Sequence, residues 1–453
     1  MSRRNILVIA YPAQGHVLPM MELSQCLVNH GFKITFVNTE YNHERVLNSL
    51  IEKDYIGEYI NLVSVPDGLE SMEDRNNLGK LAESLSTLGR GKLEELIGKM
   101  NETEEDKITC VIADENNGWA LEVAKEMNIR CAAFWPAAAA LLALLFDVQK
   151  LIDDGIIHNT GTPLKHQKIQ LAPAMPAMNS EHFVWACIGD EITNRIVFDI
   201  MKKNNEAIKL VDWIICNSAY DLEPGAFTFS PKILPIGPLL ANTRHGNSAG
   251  CFWQEDTNCL KWLDQQQPNS VIYVAFGSFT IFDKTQFQEL ALGLELTGKP
   301  FLWVVRPGTT NETNVYPQGF EERVANRGKI VEWAPQQKVL SHPSVGCFLS
   351  HCGWNSTMEC VANGVPFLCW PYFADQFLNE TYICDVWKVG LNFNRDKFGI
   401  IRRDEIKDKV EKVLSDEMIR KRVEELEEIA MISVGEYGHS SKIFSKFVEW
   451  LND

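Results

Sequence analysis

The residues from Trp333 to Gln376 read WAPQQKVLSHPSVGCFLSHCGWNSTMECVANGVPFLCWPYFADQ, and they carry the densest set of groups able to do chemistry in this chain. Gly346-Cys347-Phe348-Leu349 is a short apolar run that predicts a buried parallel strand. His351-Cys352-Gly353 makes a turn, Asn355-Ser356-Thr357 opens a helix with Glu359 in its first turns, and Gly364-Val365-Pro366 stops it. A helix start of this kind offers unpaired N–H groups and a partial positive charge, so it suits a phosphate or diphosphate. Trp, His, Asn, Ser, Glu, Asp and Gln residues crowd the same stretch, a mixture fit for a nucleotide that carries a polyol.

A second constellation lies near the start. His16 follows the first predicted strand and sits just before a helix that has Pro19 early in it. Positive potential at a helix start disfavours imidazolium and keeps such a histidine a neutral base near neutral pH. A base needs a partner for the proton it takes. Asp114, at the carboxyl end of the fourth predicted strand in CVIADENNG, is on the same edge of the same predicted sheet. The pair has the logic of a His–Asp couple in a catalytic triad, with a substrate hydroxyl in place of serine. The plainer alternative is that His16 caps its own helix and Asp114 caps the next one.

The 44-residue block resembles the signature box of plant UDP-glycosyltransferases that act on small lipophilic metabolites. Its opening Trp-Ala-Pro-Gln, central His-Cys-Gly-Trp-Asn-Ser and closing Asp-Gln carry the resemblance, which extends loosely over the N-terminal half. The resemblance implies that His16 and Asp114 are the catalytic pair. It implies that uracil stacks on Trp333, with Ala334 at the uracil edge, Gln336 on the nucleoside and Glu359 on the ribose hydroxyls. His351, Asn355 and Ser356 would hold the diphosphate with help from Ser278, and Trp354, Asp375 and Gln376 would hold the sugar. Gln376 implies glucose, since histidine tends to accompany galactose there. A tryptophan in the core is the competing reading of Trp333. The implied activity is inverting transfer of glucose from UDP-glucose to a hydroxyl of a phenolic, flavonoid or terpenoid acceptor, giving a β-glucoside. Transfer to nitrogen, sulfur or carbon, or UDP-sugar binding without turnover, are the alternatives. No cofactor beyond the UDP-glucose donor is implied, and no metal: the sequence has no D-x-D motif.

Other motifs fall away on inspection. Gly293 to Lys299 matches most of a phosphate-binding loop, but Pro300 stands where a Ser or Thr must hold magnesium, and the segment runs from helix to strand. His342, Cys347, His351 and Cys352 fit no standard zinc spacing. Neither a G-x-S-x-G elbow nor a G-x-G-x-x-G fingerprint is present.

The elements that must position these groups alternate. Ile6–Ala10, Lys33–Asn38, Ile60–Val65, Thr109–Ala113, Arg130–Phe134 and Trp213–Asn217 predict strands, with helices such as Leu18–Asn29 between them. A second series runs through Val271–Phe276, Phe301–Val305, Lys329–Val331, Gly346–Leu349 and Pro366–Cys369. Such alternation predicts parallel sheets covered by helices on both faces, with ligands at the carboxyl ends of the strands. The fold class expected is α/β: two facing Rossmann-like doubly wound domains of the GT-B type, with the active site in the cleft. The expected boundaries are an acceptor domain at 1–240, a linker at 241–257, a UDP-sugar domain at 258–435 and a returning helix at 436–453. The acceptor pocket is expected from 65–74, 116–119, 135–139 and 175–187, although the same residues could be plain core.

Composition bounds the rest. A chain of 453 residues with 45% apolar and 23% charged residues is globular and suits two domains. A net charge of −17 without a basic block excludes nucleic acid as a natural partner. It also means that an anionic donor must be held by local dipoles. The longest apolar run, Cys131 to Phe146, contains Trp135 and Pro136 and is too short for a membrane span. Twelve scattered cysteines suit reduced thiols, hence a cytoplasmic location. A monomer acting on a UDP-sugar and a small hydrophobic acceptor is expected. No N-x-T sequon is read as used, since Asn355 lies inside the box.

Overall fold

Five successive buried residues, Asn5 to Ile9, make strand β1, and the apolar character of Ile6 to Ile9 on both faces is the mark of a strand covered by helices above and below. The computed structural model describes residues 3–49, 58–239, 250–310, 312 and 315–453. After β1 (Asn5–Ile9) come β2 (Lys33–Thr39), β3 (Ile60–Val65), β4 (Ile108–Asp114) and β5 (Arg130–Trp135). A small antiparallel pair, β6 (Lys168–Ile169) and β7 (Met178–Asn179), precedes β8 (Trp213–Cys216) and β9 (Ile233–Pro235). The seven-stranded sheet has the order β3-β2-β1-β4-β5-β8-β9 and is parallel throughout.

The second series is β10 (Val271–Ala275), β11 (Phe301–Val304), β12 (Gly328–Val331), β13 (Val345–Ser350), β14 (Phe367–Cys369) and β15 (Gly390–Asn392). They form a parallel sheet in the order β12-β11-β10-β13-β14-β15. Each sheet therefore has one point where the chain's direction of winding reverses: between β1 and β4 in the first, between β10 and β13 in the second. Outside the carboxyl ends of the strands at such a point lies the natural ligand crevice of an open α/β sheet.

The chain divides into two compact units. One gathers Met1–Trp253, Phe373–Asp375 and Ile432–Asp453, and the other gathers Gln254–Tyr372 and Gln376–Met431. The core of the first unit joins Ile6, Val8, Ile34 and Phe36 to Phe447 and Leu451 of the closing helix His439–Asn452. Arg130 stacks on Trp450 and donates to its carbonyl at 2.5 Å, while Arg4 donates to the Leu451 carbonyl at 3.4 Å. Two cations at a helix carboxyl end offset its partial negative charge. The expected linker lies outside the described residues over 241–249.

Two departures from the sequence pattern have simple causes. The first long helix is Gln14–Asn29, four residues longer at its start than its apolar repeat announces, because its first turn is polar and Pro19 mimics a helix start. Strands β9 and β15 sit at sheet edges and span three residues each, too few to display a period. The run from Cys131 to Phe146 is, as expected, a buried strand passing into a buried helix, Ala139–Phe146. Among the described residues no helix is long and apolar enough to cross a membrane.

Candidate active site

At the reversal point of the first sheet, β1 runs through Ala10–Ala13 into its helix, and His16 becomes the third residue of that helix. Its Nδ1 lies 2.7 Å from Oδ2 of Asp114, the last residue of β4, which is fully buried while His16 keeps a quarter of its side chain exposed. A carboxylate oxygen accepts, so the proton is assigned to Nδ1 and the Nε2 lone pair is left for a substrate. The other oxygen, Asp114 Oδ1, accepts from the Asn116 backbone N–H at 3.0 Å and from Asn116 Nδ2 at 3.2 Å. Asp114 thus caps the short 3₁₀ turn Glu115–Asn117 as well as holding His16. His16 does not cap its helix: the position before the first turn is Ala13, without a side-chain bond.

The electrostatics of His16 differ from the expectation of a simple depression by the helix start. Burial lowers its pKa, but Asp114, through charge and hydrogen bond, and then Asp375 raise it, and the net shift is upward. Two carboxylates outweigh the loss of solvent. The Tyr11 ring leans over the imidazole at a centroid distance of 5.2 Å.

At the reversal point of the second sheet, β13 ends at Ser350 and the turn His351-Cys352-Gly353 leads into the helix Trp354–Val361. Cys352 has φ +65°, and Ala374, next to Asp375, has φ +56°. Both are left-handed at a non-glycine residue, a strain that persists where the surroundings enforce it. The His351 ring is wedged between two glycines: a Cβ on Gly277 or on Gly353 would come within 2.5 Å of its Nε2. Burial pushes the His351 pKa down to about 4, so near neutral pH it offers hydrogen bonds without charge.

Gln336 ties three parts of the site together. Its Oε1 accepts from the Tyr273 hydroxyl at 3.1 Å, and its Nε2 donates to Ser356 Oγ at 2.8 Å and to Glu359 Oε2. Burial raises the Glu359 pKa to about 7, against the lowering effect of the Gln336 bond. Gln376 Oε1 accepts from the Tyr372 backbone N–H at 2.7 Å, which turns its amide nitrogen outward from that bond. The Trp333 carbonyl accepts from the Asp256 N–H at 2.9 Å, with Ala334 buried beside it. Trp354 is nearly buried and packs against Tyr382 and Trp387, so its ring belongs to an aromatic cluster.

A family model described as UDP-glucoronosyl and UDP-glucosyl transferase matches residues 5–431. The chain belongs to that family. UDP-glycosyltransferase 83A1 of Arabidopsis thaliana is 48% identical over 461 residues, covering 100% of this chain and 97% of that protein. The (R)-mandelonitrile beta-glucosyltransferase of Prunus dulcis is 34% identical over 88% of this chain and 86% of that protein. The structure of Phytolacca americana UGT2 complexed with UDP-2fluoro-glucose and pterostilbene aligns with TM-score 0.80 at 28% identity, over 99% of both chains. The two parallel sheets are therefore the Rossmann-like halves of the GT-B fold, and the protein is a glycosyltransferase enzyme.

Of the thirteen residues singled out in the sequence of this glycosyltransferase, the structure brings His16 and Asp114 into contact and joins Gln336, Ser356 and Glu359. It sets His351 against the turn that carries Ser278. Asp375 groups with the first unit and Gln376 with the second. Two nearby groups escaped sequence reasoning. Thr280 is buried with its hydroxyl lacking a hydrogen-bond partner among the described residues, and a lone threonine two residues past Ser278 gives no signal by itself. Glu115, next to Asp114, is buried with neither carboxyl oxygen bonded among the described residues, and its pKa is pushed up to about 8 by burial and then by Asp114.

The Glu115 carboxyl therefore binds a proton more tightly in the folded than in the unfolded chain. Between its ordinary value of 4.5 and about 8, unfolding releases that proton, so this group's contribution to stability falls as pH rises through the window. Glu115→Gln is expected to raise the melting temperature, by an increment that grows from pH 5 to pH 8. An increment independent of pH would show that Glu115 stays ionised in the folded chain.

Proposed function

We propose that this glycosyltransferase is an inverting, UDP-glucose-dependent enzyme that glucosylates a hydroxyl of a small hydrophobic acceptor. The observation that carries the reading is the 2.7 Å bond from His16 to the fully buried Asp114 at a sheet reversal point. His16 Nε2 takes the acceptor hydroxyl proton as the oxygen forms its bond to the anomeric carbon. The bond from that carbon to UDP breaks on the opposite face, so the α-linked donor yields a β-glucoside. Asp114 stabilises the imidazolium formed and fixes the ring. A relative bearing the name beta-glucosyltransferase supports that stereochemistry.

In this reading residues 1–240 hold the acceptor, 258–435 hold the UDP-sugar and 436–453 return to the first unit. Uracil stacks on Trp333 beside Ala334, and Gln336 and Glu359 take the nucleoside. Ser278, His351, Asn355 and Ser356 receive the diphosphate with neutral donors and the start of an eight-residue helix. Those donors stabilise the charge that grows on departing UDP. Trp354, Asp375 and Gln376 hold the glucose. The enzyme is proposed to work as a cytoplasmic monomer in plant secondary metabolism.

A mass-spectrometric screen tests this directly. Protein would be incubated with UDP-glucose, UDP-galactose or UDP-glucuronate and a panel of phenols, flavonoids, terpenoid alcohols and carboxylic acids. A hexosylated product from UDP-glucose is expected, and its absence across the panel would count against the reading. Gln376→His is expected to shift the ratio of glucose to galactose transfer toward galactose; an unchanged ratio would remove Gln376 from sugar selection.

A further inference from the structure

The turn after β10 has to hold an awkward shape. Gly277 sits at φ +65° with its Cα against the His351 ring, and Phe276 and Thr280 on either side are buried. One side chain collects the Gly277 and Thr280 carbonyls of this turn. Arg306 lies two residues beyond β11, the neighbour of β10. It is nearly buried, at 9% exposure. Its Nε donates to the Gly277 carbonyl at 3.3 Å, its Nη2 to the Thr280 carbonyl at 2.8 Å and its Nη1 to the Pro307 carbonyl at 3.1 Å. Arg306 is itself anchored: its carbonyl accepts from Thr309 N–H at 3.1 Å and Thr309 Oγ1 at 2.8 Å, and the Thr309 carbonyl accepts from Phe282 N–H at 2.8 Å.

We propose that Arg306 is a positioning residue for the donor, its guanidinium bracing and polarising the Gly277–Thr280 turn that presents Ser278 to the diphosphate. The inference rests on the assignment of the diphosphate to this turn. The chemistry follows from the peptide group. The Gly277 carbonyl and the Ser278 N–H belong to one amide, so a cationic donor on the oxygen makes the N–H a stronger donor on the other side. The planar fork reaches two carbonyls three residues apart at once, a geometry lysine cannot copy. In a chain of net charge −17, a buried cation behind the turn also offsets the repulsion that a dianionic diphosphate would otherwise meet.

The test uses the full chain, with wild type, Arg306→Ala and Arg306→Lys compared. UDP affinity comes from calorimetry, and donor and acceptor KM from steady-state kinetics. Wild-type protein that failed to bind UDP would overturn the donor assignment itself, a failure separate from that of Arg306. With UDP bound by wild type, Arg306→Ala is expected to raise the UDP Kd and the UDP-glucose KM about tenfold or more, with acceptor KM nearly unchanged. Arg306→Lys is expected to fall between. Millimolar guanidinium should restore part of the alanine variant's donor affinity, and sodium chloride at the same concentration should not. A brace that served folding alone would lower the melting temperature and the active fraction while leaving both KM values as they were. Should the alanine variant prove unfolded by circular dichroism, the lysine variant decides by the same criterion. Donor constants equal to wild type in a folded variant, or equal changes in donor and acceptor KM, would overturn the proposal.

Discussion

His16→Ala is expected to lower kcat by about two to four orders of magnitude while leaving UDP affinity near that of wild type, because the lost group acts on the acceptor proton. The loss should be greatest for alcohols and smallest for acidic phenols, which ionise with little help. Full activity of the variant on a weakly acidic alcohol would end the base assignment. Asp114→Asn keeps the shape and removes the charge, so a large loss in kcat is again expected. A pH profile separates the two variants. The base works only when neutral, so kcat/KM falls as pH drops through the His16 pKa. That pKa is raised above its ordinary value because Asp114 and Asp375 outweigh burial. Without the Asp114 charge, burial acts with less opposition and the acid limb should move to lower pH. A limb that stays in place would mean that a different group titrates.

Removing the Glu359 carboxylate should have the next largest effect. Glu359→Ala is expected to weaken UDP and UDP-glucose binding about ten- to a hundredfold, since hydrogen bonds from ribose hydroxyls to a buried carboxylate are of the strong kind. Acceptor KM should hold. With the ribose held as proposed, the same residue is expected to make donor binding sensitive to pH. Burial raises its pKa to about 7, so it is neutral below that value and ionised above it. The ionised form is the better acceptor for two hydroxyls, and UDP affinity should therefore decline as pH falls from 8 to 6. Glu359→Gln should bind more weakly and with no such slope. A wild-type affinity flat across that range would show that the carboxyl does not change charge there.

Much of this is legible in the sequence. The apolar runs locate β1, β2, β4 and β5 because these strands are buried along nearly their whole length, as in Ile6–Val8 and Val111–Ala113, while β3 is buried only at its two ends. The box showed itself because its polar residues stand at fixed spacings around a strand, a turn and a helix. The pairing of His16 with Asp114 could be expected from both standing at the carboxyl ends of strands in one sheet, and β1 and β4 are in fact neighbours. The remainder depends on three-dimensional neighbours that spacing does not encode. Nothing in the sequence says that Gln336 links Tyr273 to Ser356 and Glu359, or that Arg306 reaches back 29 positions to Gly277. Nor does periodicity reveal that Asp375, 359 positions away in numbering, adds to Asp114 in raising the pKa of His16 against burial.

The closing helix carries a consequence for how this protein is made. Leu451 lies 447 positions from Arg4, whose side chain holds its carbonyl, yet Phe447 and Leu451 share a core with β1 and β2. Each such buried side chain stabilises the core by about 1.5–3 kcal/mol. During synthesis on the ribosome, the first sheet emerges early and must wait, with part of its apolar face uncovered, until residues 439–452 leave the exit tunnel. The proposed catalytic pair lies in that waiting unit, so its surroundings are complete only when the last helix has docked.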